Sequence, residues 1–119
     1  MRRSVSKQGN SSKKEFYFEQ RIKFLETILN SLPQDLVVFD PDHNYLFLNN
    51  KAVKDPELRQ WLINKNDFDY CKRKNISDKL AHDRHALFMT AVNTCEKATF
   101  EEHKNGEVIS RNFLPVYEN

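Results

Sequence analysis

The segment from Leu36 to Asn50 constrains the fold of this chain most, because two short strand-like runs in it are separated by one polar turn. β-branched and aromatic residues make up both runs, 37–39 and 45–48, and such residues favour strands. The sequence Asp-Pro-Asp-His-Asn at 40–44 stands between them. Its Pro fixes φ for a type I turn, and its Asp and Asn side chains can bond the turn backbone. The segment therefore predicts a β-hairpin.

The size and composition of the chain indicate one globular module. Its 119 residues are 39% hydrophobic and 30% charged, which allows a real core but no second catalytic domain. No apolar run approaches the roughly 20 residues of a membrane-spanning helix. The N-terminus lacks the apolar core of a secretory signal, and Cys71 and Cys95 are too few for a disulfide framework. We therefore expect a cytoplasmic protein without a membrane span.

Residues 1–14 differ from the rest of the chain in charge. They carry five of the 19 basic residues and none of the 17 acidic ones, leaving 14 basic against 17 acidic residues elsewhere. A basic, Ser-rich segment of this kind is predicted to be a disordered leader. Contact with nucleic acid or anionic lipid is the alternative. The sequence has no stacking platform or recognition motif, so we expect no nucleic-acid partner.

An amphipathic helix is predicted over residues 15–33. Ser12 and Glu15 match a capping box at its start, and Pro33 ends it because Pro disfavours helical dihedrals in the preceding residue. Apolar residues recur along it at spacings of four and three, which fits a core-facing stripe, a two-stranded coiled coil, or both. Apolar residues on two adjacent faces favour a homodimer through this helix. The residues expected at the dimer contact are Phe18, Ile22, Leu25 and Leu29.

Two further helices have clear start signals. Asp55-Pro56 combines an N-cap residue with Pro at the first helical position, which predicts a short helix. Residues 64–77 are polar and are predicted to be irregular. Ser77 or Asp78 would then cap a long amphipathic helix that runs to about Lys97 and forms the principal core helix.

A second hairpin is predicted near the C-terminus. Asn105-Gly106 is a strong signal for a two-residue turn with positive φ at both positions. Strands are expected on both sides of it, over 98–103 and 107–117. The first residues outside the turn would be Lys104 and Glu107, which carry opposite charges.

The order helix, strand, strand, short helices, long helix, strand, strand resembles a PAS (sensory-box) domain of bacterial signal-transduction proteins. Leu36–Asn50 is similar to its first two strands, and Arg111–Val116 is similar to its fourth. Lys54–Trp61 with Asn66–Cys71 resembles the middle helices in one bacterial subset. The likeness covers roughly residues 16–117.

The resemblance implies an α+β fold in which a PAS-like antiparallel sheet over 34–119 is flanked by helices and preceded by the amphipathic helix. In that family the last of five strands lies between the first and the fourth. This chain stops at Asn119, where that strand should begin. We therefore expect a fragment that lacks the final strand, or a strand from elsewhere in its place.

The resemblance also implies a sensory, regulatory function rather than an enzyme. Such domains bind a small ligand or partner between sheet and helices and control an attached output domain, such as a histidine kinase of a two-component system or a diguanylate cyclase. Arg111 could anchor a ligand carboxylate, or its aliphatic stem could cover the outer sheet face. The aromatic candidates could equally be core. The pocket candidates are Phe39, Leu48, Trp61, Phe68, Tyr70, His85, Phe88, Met89, Arg111 and Phe113.

No cofactor is required by the sequence, although two are conceivable from the resemblance. Cys71 lies in Tyr-Cys-Lys-Arg, which lacks the Asn, Phe, Leu and Gln of the flavin-adduct loop in light-sensing members. His82 and His85 lie one turn apart on the long helix, from which some members supply a haem ligand, but two histidines alone do not specify a metal site. A haem or flavin sensor is thus an alternative, as is a ligand-free interaction or dimerisation domain.

The remaining polar residues suggest no catalysis. His43 and His103 are expected at the surface. Two acidic pairs, Asp67 with Asp69 and Glu101 with Glu102, are expected to be solvated. With two glycines in the whole chain, no glycine-rich phosphate site can be built, and no nucleophile or metal-protease motif is present. We predict no catalytic residues and no metal ligands.

Overall fold

The structure is a computed structural model that describes the backbone of residues 5–116, and side-chain surroundings from Ser12 onward except those of Lys104. Helices and antiparallel strands follow one another in the predicted order, which confirms the α+β class. The elements are α1 Val5–Asn30, β1 Val37–Phe39, β2 Tyr45–Leu48, α2 Pro56–Leu62, α3 Asp67–Lys74, α4 Lys79–Thr94, β3 Ala98–Lys104 and β4 Glu107–Phe113.

Two small sheets are present in the described residues, one formed by β1 with β2 and the other by β3 with β4. In this part of the chain β1 pairs only with β2, and β4 pairs only with β3. The larger single sheet that the PAS resemblance implies is therefore not formed by these strands alone. Within the described residues, one edge of β1 and one edge of β4 therefore have no neighbouring strand.

The first hairpin is confirmed, with the predicted turn at its tip. The Asp40 side chain accepts the backbone N–H groups of Asp42 and Asn44 at 2.9 and 2.8 Å. The hydrogen bond from the Asn44 backbone is the main reason that the pKa of Asp40 is lowered. The backbone N–H of His43 donates to the backbone carbonyl of Asp40 at 3.0 Å. His43 has a left-handed backbone, with φ of 68°. The turn thus places a histidine where glycine or asparagine is usual.

The second hairpin is also confirmed. β3 and β4 pair with Lys104 opposite Glu107, so that Asn105 and Gly106 alone form the turn. Their φ angles are 52° and 79°. Positive φ at both positions is what a type I′ turn requires, and Asn-Gly adopts it at little steric cost.

The chain divides into two compact units, the first of which contains residues up to Val38 together with Phe47–Gln60. Asn49 holds this unit together and is fully buried. Its Oδ1 accepts the N–H groups of Leu36 and Ala52 at 3.0 Å each. Its Nδ2 donates to the carbonyls of Leu29 and Gln34 at 3.0 and 2.9 Å. One side chain therefore ties the end of α1 to the residue before β1 and to the turn after β2.

α1 differs from the predicted helix in length and in exposure. It begins at Val5 rather than near Ser12 and ends at Asn30, so it includes residues assigned to the leader. Lys, Gln and Ser extend a helix at little cost once it has formed. Its apolar side chains between Phe16 and Ile28 are 42–65% exposed. A core-facing stripe is therefore absent from this stretch, whereas the exposed seam remains available for a partner.

The middle of the chain is more regular than predicted. Residues 67–74, expected to be irregular, form α3. Asn66 and Asp69 make a capping box in which each side chain accepts the other's backbone N–H, and Asn75 ends the helix with φ of 55°. Local caps thus outweigh the low hydrophobicity of this segment.

α2 and α4 lie where the sequence predicted them, except that α4 ends at Thr94 rather than near Lys97, because Cys95 has a left-handed backbone with φ of 58°. Asp55 caps α2 by accepting the N–H of Glu57 at 3.0 Å, and Leu58 and Leu62 are buried on its inner face. α4 begins at Lys79, next to the Ser77 hydroxyl that accepts its N–H at 3.2 Å. Within the described residues, the helices lack the combination of length and hydrophobicity that crossing a membrane requires.

Candidate functional site

The second unit comprises Phe39–Leu46 and the residues from Trp61 onward, and it contains a chain of polar side chains set against aromatic rings. We call it the polar cluster. Five elements or turns contribute to it: the first turn, β2, α3, α4 and the β3–β4 hairpin. Its members are His43, Tyr45, Asp67, Arg84, His85, Glu102 and Arg111.

His43 lies at the inner end of the cluster. It is 3% exposed, so the prediction that it lies at the surface is wrong. Its left-handed backbone turns the imidazole onto Phe39 and Phe88, with ring centroids 4.5 and 4.1 Å away. The Phe88 ring is nearly parallel to the imidazole, at 9°. Burial lowers the pKa of His43 to about 4, opposed by the charge of Asp67 and assisted by His85 and Arg84.

His43 and His85 face each other through their Nδ1 atoms, which are 3.0 Å apart. Two N–H groups cannot face each other at this distance, and two lone pairs would repel. One proton must therefore lie between the rings, so one histidine donates and the other accepts. His43 is buried and His85 is exposed, so this hydrogen bond connects the interior of the unit with solvent.

The other nitrogen of His43 faces a buried carboxylate. Its Nε2 lies 3.9 Å from Asp67 Oδ2, beyond hydrogen-bond distance. Neither atom has a hydrogen-bond partner among the described residues, although both are buried. A bare Nε2 would repel the carboxylate, so electrostatics favour the tautomer with Nε2–H toward Asp67 and with His85 donating to His43. The gap then has a donor on one side and an acceptor on the other.

Asp67 connects the histidines to the rest of the cluster. It is 1% exposed, so the prediction of a solvated Asp67 is wrong. Its Oδ1 accepts hydrogen bonds from the Tyr45 hydroxyl and from Arg84 Nη1, the latter at 3.1 Å. Burial and the negative charge of Asp67 raise the pKa of Tyr45 above its ordinary value, so the phenol remains a donor.

Arg84, on α4, connects Asp67 to Glu102 on β3. Its Nε and Nη2 donate to the two carboxylate oxygens of Glu102 at 2.8 and 3.1 Å, a bidentate pair. Burial alone would lower the pKa of Arg84, but the bonds to Glu102 and the charge of Asp67 raise it instead. Burial would raise the pKa of Glu102, and the bond to Arg84 lowers it. Glu102 is thus half-buried and ionised, not solvated as predicted.

Arg111 ends the cluster on β4. Its Nε donates to Glu102 Oε1 at 3.2 Å, and its side chain is only partly exposed. Neither sequence-based expectation describes this position. The Arg111 guanidinium forms an ion pair within the protein. The two expectations from the sequence were that it binds a ligand carboxylate or that its aliphatic stem covers the outer sheet face.

Several predicted pocket residues come together beside the polar cluster. The rings of Phe39, Phe88 and Phe113 lie about His43, with Phe39 and Phe88 each near Phe113 at 6.0 and 6.1 Å. His85 contacts His43 directly, and the Phe68 ring lies 6.4 Å from the His85 ring. This part of the predicted site is therefore a mixed aromatic and polar core.

The other pocket candidates lie elsewhere or face solvent. Leu48 is buried in the first unit, and Met89 is exposed. Lys65 and Arg73 lie over the Trp61 ring, with distances of 5.0 and 4.6 Å to its centroid. Such cation–π contacts give Trp61 partners within the protein. Tyr70 is half-buried in α3, close enough to Tyr45 to raise its pKa slightly.

The cysteine considered for a flavin adduct is buried, and burial raises the pKa of the Cys71 thiol. A raised pKa disfavours the nucleophilic thiolate. Among the described residues, no three His, Cys, Asp or Glu side chains come together as a metal site.

Sequence reasoning missed five members of the cluster, although two of them carried a signal. The five are His43, Tyr45, Asp67, Arg84 and Glu102. Arg84 continues the three-four spacing of the buried residues of α4, Ala81, Phe88 and Ala91, so its position lies on the inner face. Glu102 shares a strand face with Phe100, which is also half-buried. Two charges of opposite sign at inward positions predict a buried ion pair.

The arrangement can bind and share protons, and it presents a buried donor and a buried acceptor that lack hydrogen-bond partners among the described residues. It contains no activated nucleophile among the residues just described. Comparison of the chain with protein-family models, curated proteins and solved structures found no match in any of the three.

Proposed function

We propose that this chain is a PAS-like sensory module that regulates an attached output domain and does not itself catalyse a reaction. The observation that carries the proposal is the gap between His43 Nε2 and Asp67 Oδ2. Buried polar groups are nearly always hydrogen-bonded, yet these two atoms have no partner among the described residues. Such a pair is completed by a bound water or by a polar group of a ligand.

The chemistry of the gap defines the class of ligand. His43 Nε2 and Asp67 Oδ2 are 3.9 Å apart, so no atom fits directly between them. A group lying to one side, within hydrogen-bond distance of both, could accept from Nε2–H and donate to the carboxylate. Hydroxyl and neutral amide groups do both. A ligand carboxylate would be repelled by Asp67 and would find Arg111 already paired with Glu102. Small neutral alcohols and amides are therefore the proposed ligands.

A ligand bound beside His43 and Asp67 would alter hydrogen bonds that connect several secondary-structure elements. Asp67 on α3 bonds Tyr45 on β2 and Arg84 on α4, and Arg84 bonds Glu102 on β3. A ligand that drew Asp67 toward His43 would weaken or lengthen these bonds, because each carboxylate oxygen has a limited set of acceptor directions. This connection supports a sensor whose ligand site alters helix and sheet packing.

The PAS-like arrangement would take a further strand, supplied by another segment or chain, beside the edges that have no neighbouring strand among the described residues. We place this module in the cytoplasm, since two cysteines without a disulfide fit a reducing compartment. A histidine kinase or diguanylate cyclase is the kind of output domain proposed. We also propose that the module works as a homodimer through α1.

A ligand-free interaction or dimerisation domain is the second candidate. The exposed apolar side chains of α1, at 42–65% exposure, favour it. Large exposed apolar surfaces on soluble proteins usually mark binding sites for other chains.

A thermal-shift screen separates the two candidates. Small alcohols, amides, carboxylates and heterocycles would be tested on the parent chain, on His43→Asn and on His103→Asn. Asn tolerates the left-handed backbone of position 43 but removes the imidazole, whereas His103 is exposed on β3 and serves as the control. We expect a neutral alcohol or amide to raise the Tm of the parent and of His103→Asn, but not of His43→Asn. A Tm that no compound changes would contradict ligand sensing and favour the second candidate.

A further inference from the structure

The exposed face of α1 has the residue spacing of one strand of a coiled coil. Phe18, Ile22, Leu25 and Leu29 recur at intervals of four, three and four, and the pattern stops there because α1 ends at Asn30. These intervals assign the first and third residues to d positions of a heptad and the other two to a positions. The first three are more than half exposed. At the C-terminal end of this seam, the Leu29 carbonyl is held by Asn49.

Charged residues flank this seam in a pattern that depends on position. The same heptad places Lys14 and Arg21 at g, and Glu19 and Glu26 at e. All four are exposed. The g residues are thus basic and the e residues acidic, on opposite sides of the seam.

This pattern distinguishes between the two possible orientations of a second copy. In a parallel pair, each g residue faces the e residue five positions later on the partner helix. Lys14 would face Glu19 of the other copy, and Arg21 would face Glu26, so both of these g–e pairs are attractive, whereas Glu15 at a would face its own counterpart. In an antiparallel pair, e faces e and g faces g, so every pair would be repulsive.

We infer that α1 binds α1 of a second copy of this chain in parallel, with these four charged positions fixing the register. The inference rests on the dimerisation part of the proposed function and adds the orientation of the partner. Phe16, Tyr17 and Phe24 lie outside the seam and broaden the apolar surface. They do not change the orientation, since it follows from the charges on either side of the seam.

Two charge-reversal variants of the full chain test the orientation by sedimentation equilibrium at low salt. One is Glu19→Lys with Glu26→Lys, and the other is Lys14→Glu with Arg21→Glu. Each alone should dimerise about 10- to 100-fold more weakly than the parent, because four attractive pairs become repulsive. An equimolar mixture should associate about as tightly as the parent, since attractive pairs are restored. An antiparallel dimer would instead leave each variant as tight as the parent, because its like-charged pairs stay like-charged.

Oxidative cross-linking gives an independent readout of orientation. In a Cys95→Ser background, Leu25→Cys should form a disulfide-linked dimer, because a d residue meets its own counterpart in a parallel pair. Gln20→Cys, at f on the opposite face, is the matched control and should not. If the Leu25→Cys variant formed dimers but no disulfide, the parallel orientation would be wrong, while the proposed dimerisation would stand. A parent chain that remains monomeric at all concentrations would overturn both the inference and the proposed dimerisation.

Discussion

His43 occupies a backbone conformation that most side chains avoid, with φ of 68°, and it is buried despite being able to ionise. Left-handed backbone at a residue other than Gly, Asn or Asp has a free-energy cost of about 1 kcal/mol or more. The ring contacts with Phe39 and Phe88 and the hydrogen bond to His85 offset it. Strain retained beside unpaired polar atoms is typical of functional positions.

The lowered pKa of His43 makes the stability of the protein depend on pH. Its folded pKa of about 4 lies below the ordinary value of 6.5, so the unfolded chain binds more protons between these values. The contribution is therefore complete above about pH 6.5 and is lost as pH falls toward 4. Urea unfolding at a series of pH values should show the free energy of unfolding falling by on the order of 2–3 kcal/mol across this window.

Two variants show whether the effect belongs to His43. The groups that face it are Asp67 from α3, His85 and Arg84 from α4, and Asp40 from its own turn. His43→Asn should flatten the pH dependence in this window, whereas His103→Asn should leave it unchanged. Equal slopes in the parent and His43→Asn would show that another group is responsible.

At the scale of single residues, the sequence predicted apolar positions better than polar ones. Phe39, Phe88 and Phe113 were expected near one another and are in ring contact. His43 and Asp67 were expected at the surface because polar residues are mostly exposed. Their burial depends on partners from other elements: α4 and β4 for His43, and α4 and β2 for Asp67. These partners are distant in sequence, and the propensity of a single residue contains no information about them.

At the scale of secondary-structure elements, the β3–β4 turn provides a sharp test because only backbone conformation is at issue. Gly106 has φ of 79°, and a Cβ added there would meet no atom within 4 Å. Gly106→Ala should therefore lower the free energy of unfolding by about 1 kcal/mol through strain alone. Gly106→Asn should cost clearly less, because Asn tolerates positive φ. Chemical denaturation of the two variants measures the difference, and equal losses would contradict this account.

The elements with local chemical signals were those predicted well. Both hairpins follow from turn residues, and α2 follows from Asp55-Pro56. Composition alone missed α3 because its sequence is polar, although the resemblance assigned Asn66–Cys71 to a middle helix and the capping box of Asn66 and Asp69 was present in the sequence. The true start of α1 could not be predicted, because the segment before Ser12 has no apolar periodicity to indicate a helix.

At the scale of the whole molecule, the polar cluster crosses most elements of the second unit. Arg84 should therefore contribute more to stability than an exposed ion pair does. Arg84→Met leaves the buried carboxylate of Asp67 without its cation, which should reduce the free energy of unfolding by about 3–5 kcal/mol. Lys79→Met breaks the exposed pair with Asp83 and should change it by about 0.5 kcal/mol or less.

Urea denaturation followed by circular dichroism measures both changes. A double variant, Arg84→Met with Asp67→Asn, removes the uncompensated charge and should recover part of the loss. Similar small effects for Arg84→Met and Lys79→Met would show that solvent screens the cluster.

The α+β class could be predicted at the scale of the whole molecule, but the two separate sheets could not, since strand order across a sheet depends on contacts distant in sequence.

Asn49 couples the orientation of the end of α1 to the backbone next to β1 and β2. Its single amide bonds the last turn of α1, the residue before β1 and the turn after β2, so rotation of the end of α1 must move the strand backbone or break these bonds. Asp would lose the two donors and Gln would misplace all four bonds, so neither can replace Asn at this position. The same end of α1 has a second link, because Asn30 Oδ1 accepts the Asn50 N–H at 2.8 Å. A twist of α1 would therefore reach the backbone at Leu36 and Asn50 through these two side chains.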